Sequence, residues 1–317
     1  MKNYKDNVDE SSKDFEPLVS VGIPTYNRPD GLRRALESIT GQTYKNLEII
    51  VSDNCSPDRD TESVVSEFCA HDHRIKFFRH PQNNGSFFNF RFVQEKANGE
   101  YFFWLADDDY VSPNFVSTLL KELELDKSIS VAMCATHRFD QNGNTIDIIR
   151  NFNNRLNLNN SGNVRLALNV VNNDYMSYLI YGIYRTQFIR DIMINCPQVF
   201  AQDILIVCHA LLAGKMYYVD EVLQFREMYK VSTDIRYSNE AIGRRYADPL
   251  KFYKKLYNLH NYLWFSSQIP FYYKFSIPLI ILKGLVFQLG SDIKMVTNRV
   301  LNSLFAMRRK ILKMICR

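Results

Sequence analysis

The sequence predicts an α/β protein: a mainly parallel sheet with helices on both faces, followed by a basic helical extension at the C-terminal end. Three observations carry this. Apolar runs of strand length recur between Leu18 and Ala106, each is followed by a segment of helical period, and polar or acidic residues gather where the strands end. With 317 residues, 46% apolar and 23% charged, the chain has globular composition and can build one large domain or two small ones.

The elements follow in order. LVSVGIP is a strand, and DGLRRALESITGQ is a helix with Leu32, Ala35, Leu36 and Ile39 on one face, Asp30 placed to cap it and Gly41 to stop it. LEIIVSD is the second strand, leading to the short helix TESVVSEF. IKFFRHP is the third, followed by the helix FFNFRFVQEKANG, closed by Gly99. YFFWLA is the fourth, and NFVSTLLKELEL is the next amphipathic helix, with Pro113 just ahead of it. Beyond residue 128 the alternation loosens. ISVAMCATHRFD and NTIDIIR read as strands around an Asn142-Gly143 turn, MSYLIYGIYR as another, QDILIVCHALLAGK as a helix ending at Gly214, and MYYVDEVLQFR as the last strand. The Asn-rich stretch 151–163 is expected to be a mobile loop.

Charge is unevenly placed. Residues 244–317 hold 14 Lys and Arg against Asp248 and Asp292, a balance of +12, which leaves −7 for residues 1–243. An acidic body with a basic tail suits an anionic surface better than a nucleic acid, and no basic-aromatic interleaving suggests a nucleic-acid module. The six cysteines, at 55, 69, 134, 196, 208 and 316, have neither CxxC nor zinc-ligand spacing, so buried thiols in a reducing compartment are expected. MKNYKDNVDESSKDFEP has no apolar core, which predicts a flexible polar tail over 1–17 rather than a secretory signal. The apolar stretch 269–290 is broken by Pro270, Lys274, Pro278, Lys283 and Gly284, against a spanning helix. Ile293, Val296, Val300, Leu304, Ile311 and Ile315 then recur at helical spacing beside lysines and arginines, as in an interfacial amphipathic helix or one packed on protein.

The stretch YFFWLADDDYVSP poses the chemical question. Neighbouring carboxylates about 4 to 5 Å apart repel by roughly 1 to 4 kcal/mol between the dielectrics of water and a protein surface, so three in a row need an offsetting charge. Ligands of open α/β sheets bind beyond the carboxyl ends of the strands. Asp107, Asp108 and Asp109 follow the fourth strand there, Asp53 the second, and Thr25, Tyr26, Asn27 and Arg28 the first. An oxygen-rich rim without Cys or His pairing suits Mg²⁺ or Mn²⁺ held by one or two carboxylates together with substrate phosphates.

VSVGIPTYNRPDGLRRALESITGQTYKNLEIIVSDNCSPD, followed by HPQNNGSFFNFRFVQEKANGEYFFWLADDDYVSPNFV, resembles the nucleotide-sugar half of family 2 glycosyltransferases with the Rossmann-like GT-A fold. The resemblance is specific over roughly 18–120 and looser over 175–235. It implies inverting transfer of a sugar from a nucleoside-diphosphate donor. Carried over by residue, Pro24, Tyr26 and Arg28 would line the nucleotide pocket and Asp53 would hydrogen-bond the base, a turn or capping aspartate being the structural alternative. Asn84 and Gly85 resemble the pyrophosphate-side loop. Asp107 and Asp109 match the DxD element, in which the last aspartate ligates the metal and the earlier ones, here Asp107 and Asp108, hold ribose or donor sugar. The general base of the family matches Asp203, with Gln202 where many relatives have Glu; a helix N-cap is the competing role. The Arg-x-His-x-x-Ser element appears as FREMYKVST, which keeps Arg226 and Ser232 but has Met228 at the histidine position, so Arg226 or Lys230 would supply the positive charge. His209, on the helix carrying Asp203, is expected to be packed rather than catalytic.

The resulting expectation is a metal-dependent glycosyltransferase with a nucleotide-sugar half (18–120), an acceptor half of the same domain (121–235) and a membrane-associating extension (236–317). It would work in the cytoplasm on the inner face of the membrane, on a glycan or lipid-linked glycan acceptor of bacterial O-antigen or capsule synthesis. A sugar-1-phosphate nucleotidyltransferase would need a Gly-rich basic loop that PTYNRPDG lacks, and a non-catalytic carbohydrate-binding protein would need neither Asp203 nor the aspartate cluster.

Overall fold

The computed structural model describes residues 16–150, 180–194, 196–197, 202–228, 260–279 and 282. Its elements are β1 (Val19–Thr25), α1 (Pro29–Thr40), β2 (Leu47–Asp53), α2 (Asp60–Cys69), β3 (Ile75–Arg79), α3 (Ser86–Lys96), β4 (Tyr101–Trp104), β5 (Asp109–Val111) and α4 (Phe115–Leu125). They continue as β6 (Ile129–Asp140), β7 (Thr145–Ile149), β8 (Ile183–Arg185), α5 (Thr186–Ile194), α6 (Gln202–Ala213), β9 (Lys215–Met228) and α7 (Phe271–Lys274).

All of these strands share one nine-stranded sheet in the order β3-β2-β1-β4-β8-β6-β9-β5, with β7 paired to β6. The first four strands are parallel, with Thr25 beside Asp53 at the shared carboxyl edge of β1 and β2. Every residue of β1, β2 and β4 is buried, as a strand covered on both faces requires. Alternate residues of β4 face opposite ways: Tyr101 and Phe103 join the core under α1, α2 and α4, while Phe102 and Trp104 join the core under α3, α5 and α6. Each such fully buried side chain contributes about 1.5–3 kcal/mol.

Four local expectations change. Arg28, not Asp30, is the N-cap residue of α1; Pro29 opens the helix, and Asp30 lies in the first turn, where its charge suits the helix dipole. Ala97 ends α3, and Gly99 lets the strand pass so close to β1 that an added Cβ would lie 2.5 Å from the Leu18 carbonyl oxygen. Strand β8 is only three residues long and runs antiparallel to both β4 and β6. The aspartate cluster does not end in a loop: Asp109 begins β5, which pairs antiparallel with β9.

Near the C-terminal end, 260–265 is helical, and Leu263, Ile269 and Ile277 are buried in the same core as α5 and α6. No helix of the described residues is long and apolar enough to cross a membrane. The polar tail over 1–15, the loop 151–163, Lys230, Ser232, Cys316 and the helical pattern from Ile293 to Ile315 lie outside the described residues.

Candidate active site

The carboxyl edge of β1 organises the first part of the site. Thr25 Oγ1 donates to Asp107 Oδ2 at 2.8 Å, and the Tyr26 amide donates to the same oxygen at 3.3 Å. Arg28 Nη1 reaches Asp107 Oδ1 at 3.4 Å and also pairs with Asp108 Oδ2. Tyr26 is exposed beside this pair, whereas Pro24 is buried within β1 opposite Ser52. The aspartate backbone is wedged against the start of α1, where a Cβ on Gly31 would lie 2.4 Å from the Asp107 carbonyl oxygen. Gly31→Ala is therefore expected to displace the cluster and weaken nucleotide binding about tenfold or more, a penalty of at least 1.4 kcal/mol, while far-UV circular dichroism stays native. Calorimetry with unchanged affinity would show that the cluster tolerates the shift.

The second part is built across the sheet. Asp109 in β5 faces Arg226 in β9, and Arg226 Nε donates to Asp109 Oδ2 at 3.0 Å. The guanidinium lies over the Tyr181 ring, 4.9 Å from its centroid. Burial raises the Tyr181 hydroxyl far above its ordinary range, opposed by Arg226 and reinforced by Asp109, Asp108 and Asp203. Tyr181 thus lies under the arginine that Asp109 pairs with. Asp203 is half-buried in the first turn of α6.

Burial pushes both Asp107 and Asp109 up to about 7; Asp108 adds to the rise at Asp107, and the neighbouring arginines oppose it at both. Arg28 and Arg226 leave the negative charge here under-compensated. Among the described residues no group of three or more His, Cys, Asp or Glu side chains is placed to hold a metal ion. Buried carboxylate oxygens with no soft ligand beside them are the donor type that suits Mg²⁺ or Mn²⁺, and Asp109 and Asp107 are the residues that would hold such an ion.

The third part lies at the end of β2. Asp53 is fully buried and faces inward: Oδ1 accepts from the Ser56 amide at 2.9 Å and from Ser56 Oγ at 2.6 Å, and Oδ2 accepts from Arg79 Nη1 at 3.0 Å. Ser56 Oγ in turn accepts from the Asn27 amide at 2.9 Å, which ties this turn to the loop after β1. In the described arrangement Asp53 shapes the turn. Asn54 carries the connection further, donating to Asn83 Oδ1 at 2.8 Å and to the Gly85 carbonyl at 3.1 Å, and accepting from the Asn84 amide at 3.0 Å. Gly85 holds a left-handed φ of +86° ahead of α3, a conformation that favours glycine. Asp53→Ala is expected to cost about 1–3 kcal/mol of stability along with nucleotide affinity, because it leaves a buried turn and Arg79 without their acceptor. A variant with native melting temperature and lost affinity would instead make Asp53 a direct ligand.

Sequence patterns alone did not single out Ser56, Arg79, Asn54 or Tyr181. Ser56 acts through a local turn, Arg79 and Asn54 through contacts 26 to 31 residues apart that no spacing rule marks, and Tyr181 sits in a segment where the strand-helix alternation is weak. His209 is packed: it is buried, held between Tyr262 Oη at 2.7 Å and Ser266 Oγ at 2.9 Å, and burial pushes its pKa down to about 4.

The family model for glycosyl transferase family 2 matches residues 20–182. The chain is similar to an uncharacterized glycosyltransferase of Rickettsia typhi, 34% identical over 137 residues, covering 43% of this chain and 42% of that protein. It is also similar to the GalNAc(5)-diNAcBac-PP-undecaprenol beta-1,3-glucosyltransferase of Campylobacter jejuni, 41% identical over 107 residues, covering 33% of this chain and 34% of that one. The chain therefore spans less than half the length of these curated relatives. Among solved structures, S. aureus TarS 1-349 in complex with UDP-GlcNAc superposes with a TM-score of 0.62 at 19% identity, covering 85% of this chain and 72% of that one; the shared fold is the GT-A fold.

Proposed function

Since this chain belongs to glycosyl transferase family 2, we propose that it transfers a sugar, with inversion, from a nucleoside-diphosphate donor to the hydroxyl of a glycan or lipid-linked glycan acceptor. The observation that carries this is the acidic cluster at the carboxyl edge of the parallel strands, where Arg28 holds Asp107 and Asp108 and Arg226 holds Asp109 over the Tyr181 ring.

In this mechanism the loops after β1 and β2 and the Asn84-Gly85 turn receive the nucleotide, with the exposed ring of Tyr26 free to stack on the base. Asp107 and Asp109 would hold Mg²⁺ or Mn²⁺, which supplies positive charge to the diphosphate. Asp203 takes the proton of the acceptor hydroxyl as its oxygen bonds to the anomeric carbon, and the bond from that carbon to the diphosphate oxygen breaks on the opposite face, which inverts the centre. Arg226 and Arg28 are close enough to the carboxylates to share the charge of the leaving diphosphate. The undecaprenol-linked acceptor in the name of the Campylobacter relative supports a lipid-linked glycan acceptor, and we extend that reading to a bacterial surface glycan, O-antigen or capsule, assembled at the inner face of the cytoplasmic membrane. The +12 balance of residues 244–317 supports an anionic membrane surface as a partner.

The test is a panel of nucleoside-diphosphate sugars, with Mg²⁺, with Mn²⁺ and with EDTA, read out as released nucleoside diphosphate. One preferred donor, turned over only with divalent cation, is expected. No release and no calorimetric binding of any donor under any of these conditions would overturn the proposal.

A further inference from the structure

The segment 260–279 is apolar on two sides, and only one of them is used by the protein. Leu263, Ile269 and Ile277 face inward and are buried in the core with α5 and α6. Hydrogen bonds fix the segment there: Tyr262 Oη donates to the Ile192 carbonyl and accepts from His209 Nδ1, and Ser266 Oγ bonds His209 Nε2. On the outside, Phe265 is 77% exposed, Phe271 71% and Phe275 52%, the last two in edge-to-face contact with ring centroids 5.2 Å apart. Ile194, at the end of α5, is 67% exposed and shares with Phe265 the lining of a cavity of about 440 Å³. So four of the nine large apolar side chains exposed among the described residues fall in or against this one segment. A segment apolar on both sides is covered by protein or by lipid on the second. The sequence that carries it is basic, +12 over 244–317 with Lys274 between Phe271 and Phe275, a charge that an anionic bilayer complements.

We propose that Phe265, Phe271 and Phe275, with Ile194, form a membrane-docking face that inserts into an anionic bilayer, to which the net positive charge of the C-terminal sequence adds attraction. This rests on the reading that the protein works at a membrane, and adds a structured apolar contact to the charge of the tail. The strap is tied to α6 through His209, six residues and about 9 Å of helix from Asp203. Docking therefore fixes the candidate base relative to the bilayer, so that an acceptor carried on a lipid arrives at a set height.

The experiment uses the full chain on vesicles of phosphatidylcholine mixed with phosphatidylglycerol, sedimented at low and at high salt, with melting in UDP as a folding control. Wild type is expected to bind at low salt and to keep a salt-resistant fraction. Each of Phe265→Ser, Phe271→Ser and Phe275→Ser should lower the salt-resistant partition roughly tenfold, and the triple variant should abolish it with the UDP response unchanged. A chain ending before Asp292 should keep the salt-resistant fraction. If wild type keeps that fraction and the triple variant keeps it too, the aromatic face is not a lipid contact, although low-salt binding still upholds the tail as an electrostatic anchor. If wild type does not sediment even at low salt, both ideas fall. A wild-type dimer that the triple variant converts to monomer, with vesicle binding unaltered, makes the face a subunit contact and overturns the proposal.

Discussion

Asp203→Asn is expected to lower turnover by about 10² to 10⁴, the usual worth of a positioned general base, while leaving donor affinity within a factor of about two. The amide keeps the size and much of the hydrogen bonding of the carboxylate in the first turn of α6, but it cannot take the acceptor proton. The loss should fall on kcat rather than on the KM for the donor, because the nucleotide loops and the aspartate cluster belong to other elements. A melting curve accompanies the kinetics, since Asp at a helix start also complements the helix dipole. Near-normal turnover in a well-folded variant would remove Asp203 from the chemistry and assign it to the helix terminus.

Asp109→Asn is expected to lower turnover by roughly 10² to 10³, the scale of losing one preorganised electrostatic contact in the transition state, and to remove the response to divalent cation. The pH dependence sharpens this. Burial holds Asp107 and Asp109 near 7, against 3.8 ordinarily, so between those limits the folded protein binds more protons than the unfolded chain. Stability from these groups is therefore fully present below about pH 3.8 and is lost as pH rises towards 7. A cation on the carboxylates reverses that loss. The melting temperature should accordingly rise with Mn²⁺ near pH 8 and hardly respond near pH 5.5, where protons occupy the site, and Asp109→Asn should flatten the difference. Equal Mn²⁺ shifts at both pH values would show that the cation binds elsewhere.

Much of residues 18–120 was legible because the strands there are buried on both faces and write themselves as unbroken apolar runs: LVSVGIP, LEIIVSD and YFFW need no context. Asp107 and Asp109 stood out for the same reason, as charges abutting such a run. What sequence could not supply was direction. Nothing in DDDYV distinguishes a loop from a three-residue strand, because β5 exists only through its pairing with β9, far along the chain. Likewise Asp53 lies at the strand end where ligands are expected, and beside its bonds to Ser56 three residues on it accepts from Arg79, 26 residues away, a contact no local spacing announces. The extension was legible as basic and apolar, but which of its phenylalanines stay outside depends on the docking of Tyr262 and Ser266 onto His209.

The pairing of Asp109 with Arg226 joins residues 117 positions apart. The order of events during synthesis follows from this. Strands β1 to β4 can assemble as soon as they leave the ribosome, but Asp109 then lacks its counter-charge until β9 has been made. The domain therefore cannot mature in two independent halves: β5 stays unformed and Asp109 hydrated until the strand that pairs with them has been made. Such a distant closure slows the last folding step and exposes the waiting edge to mispairing, so chaperone dependence should concentrate in the interval between synthesis of β5 and of β9.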